Sequence, residues 1–314
     1  MAMKVGLDVL GGDFAPEANV LGAILAQNEL GDRAKICLIG NKADILPILQ
    51  REGVDEDYFD IVHTDESIEM GEHPTKAFLK KPNSSIGIGF KMLTEGSLDA
   101  FSSTGNSGAM LVGAMYTIRT IPGVIRPSIT TALPVLNGGV SILLDVGINA
   151  DCKPDVLYQF GILGSIMAEQ IYNIGNPKVG LLNIGEEEEK GNLLTQATHD
   201  LMKDSRDFNF IGNIESRDLF SGKADVIVCD GFTGNIVLKQ AEALYTLIRK
   251  RSVEDEYFER FNYEIYGGTP VLGVNGNVII GHGISNENAV KNMILLSVDT
   301  AEAKLADRIR KVFK

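Results

Sequence analysis

The side chains able to do chemistry gather in glycine-rich stretches, each directly behind an apolar run. Residues 5–9 lead into Leu10-Gly11-Gly12-Asp13. Residues 98–102 lead into Ser103-Thr104-Gly105-Asn106-Ser107-Gly108. Residues 178–184 lead into Gly185-Glu186-Glu187-Glu188-Glu189-Lys190-Gly191-Asn192. Residues 225–229 lead into Asp230-Gly231-Phe232-Thr233-Gly234-Asn235, and residues 278–280 into Gly281-His282-Gly283-Ile284-Ser285-Asn286. Glycines let the backbone approach a ligand closely, and a helix N-terminus offers unpaired N–H groups that favour an anion. Several such turns together point to a phosphate or phosphoester site. Each turn alone reads equally as a tight turn with an N-cap.

Carboxylates recur at the ends of these runs. Asp8, Asp145 and Asp230 each close an apolar segment, where they serve either a site or a cap. Glu186 and Lys190 are site candidates in the acidic loop, whereas Glu187 and Glu188 read as a solvated turn. His282 is the one histidine in a strand-end loop and fits a catalytic or a capping role. There is no G-x-x-x-x-G-K-[ST], no intact G-x-G-x-x-G, no G-x-S-x-G elbow and no H-E-x-x-H helix. Asn, Lys, Arg, Asp and Ser remain, a set that binds oxyanions and orients substrates without a covalent step.

The elements that position these loops follow from the pattern. Unalternating apolar runs predict strands buried on both faces, at 5–9, 35–39, 98–102, 140–146, 178–184, 225–229 and 278–280. Helix-period segments at 19–28, 109–118, 193–203, 236–251 and 287–297 alternate with them. That alternation predicts an α/β fold with a mostly parallel sheet, whose ligands bind beyond the carboxyl ends of the strands. Pro122, Pro127 and Pro134 predict a loop-rich passage. Residues 299–313 place Ala301, Leu305, Ile309 and Val312 on one face of a terminal helix. No linker or repeat divides the chain, so a single α/β domain over 1–314 is expected.

Twenty-nine Lys and Arg against 42 Asp and Glu give 314 residues a formal charge of −13. That balance excludes a nucleic-acid binder, which needs a basic face. Cys37, Cys152 and Cys229 are scattered, with no C-x-x-C pair, so neither a zinc site nor a disulfide framework is expected. Cys229, in an apolar run, reads as an inert buried thiol. The opening MAMKVGLDVLGGD lacks a leader pattern, and no apolar stretch reaches membrane-span length, so a cytoplasmic chain is expected. Arg249-Lys250-Arg251 either caps its helix or forms a basic landing patch. Tyr257, Phe258, Phe261, Tyr263 and Tyr266 read as core or subunit interface.

The blocks LDVLGGDFAPEANVLGA, FSSTGNSGAML, IPGVIRPSI, LLDVGINADCKPDVLYQFGILGS, GLLNIGEEEEKGN, FIGNIESRDLF, VIVCDGFTGNIVLK, YGGTPVLGVNG and GHGISN resemble, in order, those of the bacterial phosphate acyltransferases of phospholipid synthesis. The resemblance runs from about Lys4 to Leu296. It implies transfer of a fatty acyl group from acyl carrier protein to inorganic phosphate. It also implies a three-layer α/β/α sandwich akin to phosphotransacetylases and isocitrate dehydrogenases, with no cofactor and no metal. A cytoplasmic homodimer, peripheral at the membrane and feeding a membrane glycerol-3-phosphate acyltransferase, is implied as well. The family's long helical hairpin is represented only by residues 236–266, a shortened version.

On this resemblance the catalytic set is expected to be Asn106, Asp145, Glu186, Lys190, Asp230 and Lys239. Phosphate or thioester binding is expected of Asp8, Gly11, Gly12, Ser103, Thr104, Gly105, Ser107, Gly108, Asn183, Asn213, Gly231, Asn235 and His282. Two other readings remain at this point: a phosphotransacetylase-like enzyme using coenzyme A thioesters, and a non-catalytic phosphate-binding protein.

Overall fold

The computed structural model describes residues 3–314. Its strands are β1 (Met3–Asp8), β2 (Ala34–Gly40), β3 (Asp60–His63), β4 (Ala100–Ser103), β5 (Ser128–Pro134), β6 (Val140–Leu144), β7 (Lys178–Leu182), β8 (Asn209–Ile214), β9 (Val226–Val228), β10 (Thr269–Leu272) and β11 (Asn277–Ile280). Packing divides the chain into two compact units. One holds residues 3–120 with Tyr263–Ala306, and the other holds Ile121–Asn262 with Asp307–Lys314.

In the first unit the strand order is β3-β2-β1-β4-β11-β10, parallel except for β10. Side chains of successive strand residues point to opposite faces. Ala100 therefore joins the cluster of Val5, Leu7, Val20, Ile24, Val290 and Ile294. Phe101 stacks edge-on against Phe90 of the helix Ser85–Thr94, with ring centres 5.3 Å apart. Helices thus cover both faces. The helices Glu17–Leu30 and Glu287–Glu302 pack so closely that a Cβ on Gly22 would stand 2.6 Å from Cβ of Val290. Gln27, buried on the first of these, donates to the carbonyls of Gly31 and Ala34 and accepts from Ile36 N–H, which fixes the entry into β2.

In the second unit the order is β5-β6-β9-β7-β8, parallel except for β5. Its core joins Leu133, Leu143, Ile214 and Ile227. The 18-residue helix Pro154–Ile171, which starts with proline in its first turn, buries Phe160 and Leu163. The α/β class expected from the alternating pattern is therefore the fold observed.

Some elements differ from the sequence reading. The proline-rich passage contains a full strand, β5, whose Pro134 sits at its last position, where a ladder tolerates it. β3, β8, β10 and the helix Pro154–Ile171 carry no expected signal above. The C-terminal helix expected over 299–313 is two segments. Glu287–Glu302 ends before Lys304, whose φ is +52°, and Leu305–Val312 resumes beyond it. The region 236–266 is one 20-residue helix, Gly231–Lys250, followed by the single-turn helices Glu256–Glu259 and Tyr263–Tyr266.

Candidate active site

Three strand-end loops converge in the first unit, because β1, β4 and β11 are neighbours in its sheet. Asp8 ends β1 with its carboxylate 1% exposed. It accepts from Leu10 N–H at 3.0 Å and from the Ser103 hydroxyl at 2.7 Å, and bonds also to Ser85 and Gly11 N–H. Burial pushes this carboxyl above its ordinary value, while those bonds pull the other way. Ser103 Oγ in turn accepts from Gly105 N–H at 2.9 Å. The Thr104 hydroxyl donates to the Gly11 carbonyl at 2.9 Å and lies 3.3 Å from Asn19 Oδ1. Asn19 Nδ2 donates to the carbonyls of Val9 and Gly11. Asp13 N–H donates to Gly283 O at 2.7 Å, and Gly281 N–H to Ser103 O at 2.9 Å.

Glycine is required where these loops touch. A Cβ on Gly11 would lie 2.5 Å from Asp8 Oδ2 and 2.7 Å from the Gly105 backbone. Gly12 has φ +96°, and its Cβ would lie 2.7 Å from Thr104 Oγ1. The result is a close backbone contact between the two loops, a glycine floor in which Gly11 N–H is taken by Asp8 and Gly105 N–H by Ser103.

Asn106 closes this floor as the N-cap of the helix Ser107–Gly113, accepting from Ala109 N–H at 3.0 Å. Its Nδ2 donates to the carbonyls of Glu69, Met70 and Glu72 at 3.0, 3.3 and 3.1 Å. Both ends of the amide are therefore committed within the protein, and Asn106 holds loops together instead of presenting a donor to substrate. Ser107 is exposed, and its N–H and that of Gly108 open the helix, where no preceding turn supplies an acceptor. His282 stacks against Tyr263 with ring centres 5.0 Å apart.

The second unit repeats the device. Asp145 follows β6, fully buried, and accepts from Ile129 N–H at 3.1 Å and from both N–H and Nδ2 of Asn149, at 2.6 and 2.9 Å. Burial again pushes its carboxyl upward. A Cβ on Gly231 would lie 2.6 Å from Asp145 Oδ2, and Gly234 abuts the Asp145 carbonyl. Asp230 caps the helix Gly231–Lys250, accepting from Thr233 N–H at 2.8 Å and from its hydroxyl at 2.9 Å. Its capping role is thus observed. Asn235 is exposed on the first turn of that helix, and its amide faces Gly147.

Asn183, Asn213, Glu186 and Lys190 lie around the ends of β7 and β8, whereas Lys239 lies on the helix Gly231–Lys250. Asn183 Nδ2 donates to Lys190 O at 3.1 Å, and Asn213 Nδ2 to Glu187 O at 2.9 Å. Both amides shape the acidic loop. Glu186 is paired with Lys223 at 2.7 Å, and Lys239 with Glu242 at 2.8 Å. Lys239 lies eight residues along its helix from Gly231, about 12 Å at the α-helical rise.

Asn19 and Asn149 escaped the sequence reading. Their signal was an amide on an otherwise apolar helix face and an Asn four residues behind a strand-end Asp. The thiols are not nucleophiles. Burial pushes Cys152 up to about 12, with Asp145 and Asp230 adding to the effect, and burial also pushes Cys229 well above the ordinary thiol value.

The model of the fatty acid synthesis protein family matches residues 3–308. A phosphate acyltransferase of Dictyoglomus turgidum is 41% identical over 98% of this chain and 96% of its own length. One of Salinibacter ruber is 40% identical over 100% of this chain and 98% of its own. Among solved structures, a phosphotransacetylase from Streptococcus pyogenes superimposes with a TM-score of 0.67 at 17% identity, covering 96% of this chain and 94% of that one. The EutD phosphotransacetylase from Staphylococcus aureus gives 0.63 at 15% identity over the same shares. These two likenesses establish the fold.

Proposed function

The chain belongs to the fatty acid synthesis protein family, and from that premise we propose that it transfers a fatty acyl group from acyl carrier protein to inorganic phosphate. A phosphate oxygen attacks the thioester carbonyl and forms the new C–O bond. The tetrahedral oxyanion collapses, the C–S bond breaks, and the carrier thiolate leaves. Phosphate is largely deprotonated at neutral pH, so no strong base is needed, in keeping with the lack of a triad motif in the sequence.

The observation that carries this reading is that Asp8 and Ser103 lock two glycine loops together and so fix the opening turn of the helix Ser107–Gly113, whose first N–H groups have no intrahelical acceptor. Fixed amide dipoles stabilise developing negative charge without reorganising, at about 3 kcal/mol for one donor. In this reading Ser107 and the N–H groups of Ser107 and Gly108 face the anion. Asp8, Ser103, Thr104 and Asn106 hold the floor, and Asp145 and Asp230 hold the corresponding loops of the second unit. In the second unit, taken by itself, Lys190 and Asn235 are exposed.

A homodimer belongs to the same proposal. Phe232, Ile236, Leu244 and Leu247 are exposed along one side of the helix Gly231–Lys250, and such an apolar strip favours a partner surface. Among the described residues no helix is long and apolar enough to cross a membrane. Contact with a membrane glycerol-3-phosphate acyltransferase would therefore be peripheral. The donor is tested by comparing turnover of matched acyl carrier protein and coenzyme A thioesters. A kcat/KM favouring the carrier supports the proposal. Preference for coenzyme A replaces it with the phosphotransacetylase-like reading.

A further inference from the structure

Phe14, Met70 and Ile284 are large apolar residues left 55%, 48% and 54% exposed. They come from three separate loops, yet the loops meet at one point. Asp13, next to Phe14, donates its N–H to Gly283 O at 2.7 Å. Met70 Cε lies so close to Gly283 that a Cβ there would stand 2.8 Å from it. Ile284 follows directly, and its carbonyl accepts from the Tyr263 hydroxyl at 2.9 Å. Asn106 clamps the Met70 loop through three carbonyls. The three side chains are therefore held by fixed loops. Scattered exposed apolar residues are ordinary on a protein surface, but three gathered beside a polar floor form a patch.

We propose that Phe14, Met70 and Ile284 form the surface that takes the alkyl chain of the acyl thioester, a proposal that rests on the function given above. The position suits it, because the Thr104 carbonyl and Asp13 Oδ1 each lie 3.9 Å from the Gly283 Cβ site, at the edge of the glycine floor. A chain lying on the rim brings its thioester to the floor. Glycine at 283 lets Met70 pack directly on the loop backbone, and a side chain there would displace the Met70 methyl group.

The test compares palmitoyl and butyryl acyl carrier protein as donors and reads the ratio of their kcat/KM values for acyl phosphate formation. The variants are Met70→Gln and the double change Phe14→Ser with Ile284→Ser. All three sites are half exposed, so the core is untouched. The palmitoyl-to-butyryl ratio should fall at least about tenfold in the double variant, since each methylene withdrawn from water contributes to long-chain binding. Met70→Leu, which keeps the apolar contact, should retain the wild-type ratio where Met70→Gln lowers it. An unchanged ratio in the double variant overturns the assignment, and does so even if that variant binds anionic lipid vesicles less well. Wild-type protein that forms acyl phosphate from neither donor removes the parent function, and the rim assignment with it.

Discussion

A Cβ placed on Gly231 would stand 2.6 Å from Oδ2 of the buried Asp145, closer than side-chain carbons approach an oxygen. Gly11 stands in the same relation to Asp8 in the other unit, at 2.5 Å. In both units a strand-end carboxylate is sealed by a glycine, from its own loop at Asp8 and from the neighbouring loop at Asp145. Gly231→Ala should therefore cost about 1–3 kcal/mol, the usual range for overpacking a closed site. A denaturant midpoint equal to that of the wild type would show that the loop yields freely.

Asp8→Asn should alter how stability depends on pH. Burial raises the folded pKa of Asp8 above its unfolded value. Its contribution is then complete below the unfolded value and is lost as pH rises through the folded one. Two of its partners, Ser85 and Ser103, are hydroxyls that can turn and accept from a protonated carboxyl. Asparagine carries no such titration. The melting temperature of the variant relative to wild type should climb as pH rises above the ordinary carboxylate range. A constant difference from pH 4 to 8 would remove the titration.

Asn106→Ala removes a helix cap and three bonds to the 69–72 loop. It should cost about 1–2 kcal/mol through the cap alone, and lower acyl phosphate formation about tenfold by releasing the floor, an effect of displaced catalytic geometry. Asn106→Asp keeps the cap but turns an acceptor toward three carbonyls, so it should be no better than alanine. An aspartate variant as stable and active as wild type would show that those three bonds contribute nothing.

Reversal of Lys250 and Arg251 to Glu should raise KM for acyl carrier protein and leave that for phosphate unmoved. Arg249 of the same triplet is already paired with Glu259, so the other two carry the free charge. The chain is at −13 overall, so an acidic carrier needs a local basic landing. Added salt should shrink the effect, because exposed charges are screened beyond about 8–10 Å. An unchanged KM at low salt would leave the triplet as a helix cap.

The parts of the fold written in local pattern were legible. The runs ending at Asp8, Asp145 and Asp230 read as strands because each is apolar without alternation, and the helices after β4, β7, β9 and β11 begin where Asn106, Asn192, Asp230 and Asn286 cap them. β5 was hidden by its prolines and β3 by partial burial at a sheet edge, where the apolar signal is weak. The split of the last helix at Lys304 carries no Gly or Pro, so nothing local announces it. In the site, residue types gave location but not role. Whether the Asn106 amide meets a ligand or three carbonyls depends on residues some 35 positions away, and only folding brings those together.

The central claim is tested most directly by mixing the protein with palmitoyl acyl carrier protein and isotope-labelled phosphate and measuring labelled palmitoyl phosphate together with the carrier thiol released. The account predicts palmitoyl phosphate in amounts matching the thiol, with both lost when phosphate is omitted. Thiol release that proceeds equally without phosphate, or no release from either carrier or coenzyme A thioesters, would contradict it.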